Sequence, residues 1–134
     1  MEILEMTITF PGGERVDAHL ESMTIPTDQP PPYGEGSAPS PFDLFMASIG
    51  TCAGIYILSF CNEREISSEG VHLVQRMKFD EDVGLMTKLD LEIQVPPDFP
   101  EKYYKALIRS ANQCGIKKHL ENPPEFEVYT KVIE

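Results

Sequence analysis

Three cysteines are the residues of this sequence best suited to covalent chemistry. Cys52 ends the apolar stretch Ser40-Pro-Phe-Asp-Leu-Phe-Met-Ala-Ser-Ile-Gly-Thr-Cys, and Cys114 lies 62 residues later in Cys-Gly-Ile-Lys-Lys-His-Leu. Two such thiols can act as a nucleophile and its resolving partner, because a sulfenic acid condenses with a second thiol. The alternative is inert packing, since free cysteine is among the most buried residue types. Cys61 stands about 13 Å further along a helix than Cys52 and is interpreted as packing.

A reactive Cys52 needs a neighbour that stabilises its thiolate, because a cysteine within a helix otherwise keeps an ordinary or raised pKa. Arg15 is the only Lys or Arg among the first 63 residues, and it is therefore the candidate cation. The alternative for Arg15 is a solvated charge on a hairpin. His19, His72 and His119 lack the paired spacing of metal ligands, so neither a metal nor another cofactor is expected.

Composition limits the class of protein. The chain has 134 residues, of which 41% are hydrophobic, and this predicts one domain over 1–134 with a real core. A net charge of −11 argues against nucleic acid or an anionic membrane as a partner. No signal peptide is visible, and three cysteines do not make a secreted disulfide framework. A reduced, cytoplasmic protein is expected.

The elements that must position Cys52 lie in the first half of the chain. Alternating β-prone residues predict an N-terminal β-hairpin region over 1–26. The Pro- and Gly-rich segment 27–41 cannot hold a helix or a central strand and is expected to be a long loop. Ser40 is suited to be the N-cap of a central helix over 40–64, which is apolar on every face. Such a helix is expected to be buried on all sides, with help from a partner subunit, rather than to cross a membrane.

The second half of the chain positions Cys114. Two strands are predicted over 71–95, a second helical region over 100–120 and a final strand over 125–133. This order of elements predicts an α+β fold, in which a mainly antiparallel sheet packs against a long buried helix and a second helix.

Both cysteine segments resemble signatures of the OsmC/Ohr family. The segment from Ser40 to Cys52 is similar to its central-helix signature, in which Pro-x-Glu-Leu-(Leu/Phe) leads to Ala-x-Gly-x-Cys. The segment from Ala111 to Leu120 is similar to the second signature, Ala-x-x-x-Cys-Pro-Val-x-x-x-Leu. The order and separation of the segments also agree, so the resemblance covers nearly the whole chain.

The resemblance implies a homodimer of two interlocked subunits whose central helices pack together. It also implies thiol-dependent reduction of organic hydroperoxides. Cys52 would attack the peroxide and become a sulfenic acid, and Cys114 would condense with it to a disulfide that an external thiol or dithiol reduces. Arg15 would hold the thiolate and the peroxide, and Asp43 would orient that arginine.

The chain departs from the family pattern at three positions. Phe42 stands where the peroxidase branch has glutamate, Gly115 replaces the proline after the second cysteine, and Glu14 separates Arg15 from the preceding glycines. Two alternatives therefore stay open. One is a thiol–disulfide redox protein that does not use peroxide, and the other is a small-molecule-binding dimer whose cysteines are structural.

Overall fold

The computed structural model describes all 134 residues, which form two compact units, Met1–Ala47 and Ser48–Glu134. The architecture is α+β, as the sequence predicts. Whether the chain acts as a single domain stays a prediction. The elements in chain order are β1 (Thr7–Gly12), β2 (Arg15–His19), β3 (Thr24–Thr27), α1 (Pro41–Glu63), β4 (His72–Asp80), β5 (Leu85–Gln94), a 3₁₀ turn (Glu101–Tyr103), α2 (Tyr104–Ala111) and α3 (Gly115–Glu121).

The first unit contains a three-stranded antiparallel sheet in the order β1-β2-β3. Ala18 in the middle strand pairs with Ile8 on one side and Ile25 on the other. The tight turn between β1 and β2 uses Gly12 and Gly13, both at positive φ, which glycine adopts without steric cost. The β-hairpin predicted for the N-terminal region is present as β1 and β2, and β3 adds a third strand to it.

The Pro- and Gly-rich loop after β3 is organised around a buried carboxylate. Asp28 is 1% exposed and accepts hydrogen bonds from the Gln29 N–H (2.7 Å), the Ser37 N–H (3.0 Å) and the Ser37 hydroxyl (2.6 Å). The Ser37 hydroxyl and N–H are the main groups that hold the pKa of Asp28 below its usual value. Gly34 packs so tightly here that a Cβ would collide with the Gln29 carbonyl and Asp28. The loop is therefore ordered by its own contacts.

Helix α1 has a defined cap at each end. Ser40 and Asp43 form a capping box, in which the Asp43 N–H donates to Ser40 Oγ (3.1 Å) and the Ser40 N–H donates to Asp43 Oδ2 (3.3 Å). At the other end Glu65 takes a left-handed φ of 55°, and the Ile66 N–H returns to the Cys61 carbonyl at 2.9 Å. This is a Schellman motif, and it ends the helix after Glu63.

Only one face of α1 is buried within the chain, and its burial on all sides with help from a partner subunit stays a prediction. The buried residues follow a helical stripe and are Ile49, Ala53, Ile57, Phe60 and Cys61. Ile55 and Leu58 are 54% and 40% exposed, because the other elements of one subunit cover only one face. By length and composition α1 could cross a membrane, but a core helix of a soluble protein passes the same test, so this is weak evidence.

The second unit contains the larger part of α1, from Ser48 to Glu63. Strands β4 and β5 are the two strands predicted over 71–95, and they form an antiparallel hairpin in which Leu73 pairs with Ile93. The predicted helical region over 100–120 is present as the 3₁₀ turn, α2 and α3. The core cluster combines α1, α2 and the segment between β5 and the 3₁₀ turn through Ile57, Phe60, Cys61, Phe99 and Leu107.

The predicted final strand over 125–133 is wrong for the single chain, since no strand or helix is present beyond residue 121. The segment has the alternation of a strand, but a strand forms only where its backbone pairs with a neighbour, and none pairs with it here. Its apolar side chains are consequently exposed, with Phe126 at 87%, Val128 at 94% and Val132 at 88%.

Candidate functional site

Cys52 and Cys114 meet in the second unit. Cys52 lies in the middle of α1 and is partly buried, whereas Cys114 is the N-cap residue of α3 and is 2% exposed. The Cys114 thiol lies next to Cys52 and lowers the pKa of the Cys52 thiol. Both are free thiols, and no disulfide joins them. The structure thus brings together the two cysteines that the sequence singled out.

The surroundings of Cys52 favour its thiolate. The pKa of Cys52 is lowered, most strongly by the main-chain N–H of Ile116, then by the Cys114 thiol, and least by the N–H of Gly115. Partial burial opposes this by disfavouring the charged form. All three donors are neutral groups at the start of α3, where N–H groups have no intrahelical partner.

The environment of Cys61 disfavours its thiolate, in contrast to that of Cys52. Cys61 is fully buried, and burial raises the pKa of its thiol, although the nearby Arg64 guanidinium opposes this. Arg64 itself lies over the Phe60 ring at 3.7 Å and pairs with Glu63 at 3.8 Å. The packing function predicted for Cys61 fits its place in the core cluster.

Arg15 lies at the start of β2, in the first unit. Its guanidinium is 3.8 Å from Asp17 Oδ2, and its side chain is 44% exposed. The other carboxylate oxygen of Asp17 is buried without a hydrogen-bond partner. Asp43 is also in the first unit, where its carboxylate accepts the Ser40 N–H of the capping box. The functions predicted for Arg15 and Asp43 stay predictions.

An apolar cavity of about 680 Å³ lies in the second unit between α1, β5, α2 and α3. Its wall includes Cys114, and its only charged lining residue is Lys117. The lining residues are Ile49, Met86, Leu89, Leu91, Ile93, Val95, Tyr104, Leu107, Ile108, Ala111, Asn112, Cys114, Lys117 and Leu120. Its size is that of a small-molecule site.

No group of three or more His, Cys, Asp or Glu side chains lies close enough together to hold a metal ion. Two of the three histidines make other contacts. His19 bonds to Thr9 at 2.7 Å and to Thr24 at 3.0 Å within the first sheet, and His119 Nδ1 lies 2.7 Å from the Gly115 carbonyl. These contacts are structural.

Sequence reasoning missed the donors around Cys52, because it sought a cation and a main-chain N–H carries no sequence signature. It also missed Asp17, the ion-pair partner of Arg15. Alternate residues of a strand share a face, so the spacing of Arg15 and Asp17 could have revealed that pair. Lys117 could not be found in this way, because its place in the cavity wall depends on the fold.

The fold and the thiol pair define an α+β protein with two adjacent cysteines. The sequence matches the model of the OsmC-like proteins over residues 34–129, and the chain therefore belongs to the OsmC-like family. No curated protein sequence matches it.

Solved structures agree with this assignment. The chain is similar to an osmotic stress induced and detoxification response protein from Psychrobacter arcticus 273-4, with 26% identity, a TM-score of 0.71 and 88% of each chain covered. It shares its fold with an OsmC-like protein from Mycoplasma pneumoniae, with 12% identity, a TM-score of 0.70 and coverage of 91% of this chain and 89% of that one. The fold also matches an organic hydroperoxide resistance protein OsmC from Legionella pneumophila, with 21% identity, a TM-score of 0.58 and coverage of 90% and 91%.

Proposed function

We propose that this protein is a thiol-dependent peroxidase that reduces organic hydroperoxides, with Cys52 as the nucleophile and Cys114 as the resolving cysteine. The observation that carries the proposal is the placement of Cys114 and the start of α3 beside Cys52, where they lower the pKa of the Cys52 thiol. A nucleophile must be a thiolate, and a resolving thiol must be close to it. The names of relatives with this fold, including organic hydroperoxide resistance proteins, support the substrate class.

The reaction would proceed in three balanced steps. The Cys52 thiolate attacks one peroxide oxygen, the O–O bond breaks, and the alkoxide takes a proton from solvent and leaves as an alcohol. The resulting Cys52 sulfenic acid is attacked by Cys114, which forms a disulfide and releases water. An external dithiol then reduces the disulfide by exchange and is itself oxidised. This cycle needs no bound cofactor, and it suits a reducing, cytoplasmic location.

Arg15 would hold the peroxide near the thiolate, as the family resemblance implies. A guanidinium suits this purpose because it is always charged and offers several N–H donors. Asp43 would orient Arg15 in the same scheme, but its carboxylate accepts the Ser40 N–H, and Asp17 is the carboxylate that pairs with Arg15. Arg15→Ala should slow peroxide reduction strongly, and an unchanged rate would remove Arg15 from the scheme.

We also propose a homodimer in which two subunits interlock and pack their central helices. The exposed Ile55 and Leu58 on α1 support it, because apolar side chains on a long helix gain by burial against a partner. The unpaired C-terminal segment supports it further, since its strand-like alternation would fit a sheet edge of the second copy. Sedimentation equilibrium of the full chain tests this, and a monomer at micromolar concentration would contradict it.

The decisive experiment is consumption of an alkyl hydroperoxide with dithiothreitol as the reductant. Wild type should turn over and Cys52→Ser should be inactive. In the absence of dithiothreitol, Cys114→Ser should react once with the peroxide and fail to form the intramolecular disulfide. Cys61→Ser is the matched control, because Cys61 is on the same helix but has a raised pKa, and this variant should keep its activity.

The alternatives give different results. Reduction of a disulfide substrate without any peroxide turnover would favour a thiol–disulfide redox protein. No turnover with any alkyl or lipid hydroperoxide, and no dependence of any redox activity on Cys52, would favour a binding dimer with structural cysteines.

A further inference from the structure

The apolar cavity of the second unit contains one charged group. Most of its wall is aliphatic and comes from β5 and α2. Its solvent side is marked by the exposed lining residues Tyr104, Ile108, Asn112, Lys117 and Leu120, among which Asn112 and Lys117 contribute an amide and an ammonium group. Lys117 Nζ donates a hydrogen bond to Asn112 Oδ1 at 2.9 Å, so the two side chains form one polar pair. A cavity with an apolar body and a few placed polar groups is typical of a small-molecule site.

The polar pair of Lys117 and Asn112 favours one kind of polar group on a bound molecule. A lysine ammonium has three N–H donors and no acceptor, and only one of the donors is used by Asn112. The Asn112 amide group adds two further N–H donors. A carboxylate is a pure acceptor and carries the complementary charge, which makes its hydrogen bonds to an ammonium stronger than those of a neutral hydroxyl.

We propose that this cavity is a binding site for an organic acid with an extended apolar body, whose carboxylate is held by Lys117 and Asn112. The apolar body would lie against Leu89, Leu91 and Leu107, where it removes hydrocarbon surface from water. This site exists whether or not Cys52 reduces peroxides, so it does not depend on the proposed function.

The position of Cys114 in the cavity wall allows a second, independent test of ligand binding. Cys114 is 2% exposed and belongs to the cavity wall. A bound acid is therefore expected to shield the Cys114 thiol from small alkylating reagents. In a Cys52→Ser, Cys61→Ser double variant only Cys114 can be alkylated, and an apolar acid should slow that reaction.

The main experiment compares a fluorescent polyene fatty acid with the matching fatty alcohol as probes on the full chain. Lys117→Gln should weaken binding of the acid about tenfold, which corresponds to the loss of one charge-assisted hydrogen bond, and should change binding of the alcohol less than about twofold. Lys118→Gln is the matched control, because Lys118 is the next residue, carries the same charge and does not line the cavity. It should leave both affinities within about twofold of wild type.

Three results would overturn the proposal. The first is the absence of binding of either probe. The second is an equal loss for acid and alcohol in Lys117→Gln, which would remove the carboxylate from the argument. The third is an equal loss in Lys117→Gln and Lys118→Gln, which would indicate general charge attraction. An inactive peroxidase that still binds the acid through Lys117 would contradict the proposed function and leave this site standing.

Discussion

Replacement of Ile116 by proline is expected to lower the reactivity of Cys52 at neutral pH. The Ile116 N–H is the largest of the groups that lower the pKa of Cys52, and proline has no N–H. Ile116 is the second residue of α3, where the N–H has no intrahelical partner. The substitution therefore removes the bond to Cys52 and leaves the hydrogen bonds of the helix intact.

The expected loss of thiolate stabilisation depends on how exposed Cys52 is to solvent. Hydrogen bonds to charged groups contribute about 1.5–3 kcal/mol. Cys52 is only partly buried, so solvent screening reduces the loss to about 1 kcal/mol. This corresponds to a ratio of thiolate to thiol about fivefold lower. Because the thiolate is the nucleophile, alkylation of Cys52 at pH 7 should slow by about the same factor.

The assay is the rate of iodoacetamide alkylation of Cys52 against pH, followed at the peptide level by mass spectrometry. Ile116→Ala is the control, since it shortens the side chain but keeps the N–H. Gly115→Pro is a milder second variant, because Cys114 is already extended (φ −48°, ψ 122°), as a residue before proline prefers. An unchanged titration in both proline variants, with circular dichroism showing intact helices, would refute the reasoning. So would an equal loss in Ile116→Ala.

Three further changes test the loop and the end of α1. Gly34→Ala should destabilise the protein by about 1–3 kcal/mol in urea unfolding, because the new Cβ meets the Gln29 carbonyl, whereas Gly54→Ala meets nothing within 4 Å and should not destabilise. Asp28→Asn should lower the melting temperature at pH 7. Since the folded-state pKa of Asp28 is lowered, its stabilisation is complete above about pH 4 and is lost as the pH falls through the folded pKa, so wild type and variant should converge in acid. Glu65→Gly should stabilise by up to about 1 kcal/mol, because Glu65 holds a left-handed φ of 55° that glycine adopts freely; an unchanged midpoint of unfolding would contradict this.

Sequence patterns predicted those features of the fold that depend on local chemistry. Ser40, Pro41 and Asp43 carry a helix start in their own side chains, and the structure has that start. The segment 125–133 has an equally clear alternation but forms no strand, because its outcome depends on a pairing partner that one chain does not supply. Local patterns thus predict what a segment can form, and tertiary contacts decide whether it does.

The same distinction applies to the thiol pair. Family signatures placed Cys52 and Cys114 at one site, but the sequence suggested a cation as the group that activates Cys52. In the structure the groups that lower the pKa of Cys52 include two main-chain N–H groups, from Gly115 and Ile116, which any residue other than proline could supply. Their effect depends on where α3 begins, and only the folded chain fixes that position.

The position of Cys114 beside Cys52 fits both steps that the proposed reaction assigns to Cys114. In the first step the Cys114 thiol, which lowers the pKa of Cys52, would stabilise the Cys52 thiolate. In the second step the Cys114 sulfur would attack the Cys52 sulfenic acid, and the same proximity would serve this attack. A Cys114→Ala variant should therefore slow the first step as well as abolish the disulfide, and stopped-flow measurement of a single peroxide turnover would separate the two effects. A first step as fast as in wild type would show that Cys114 serves resolution alone.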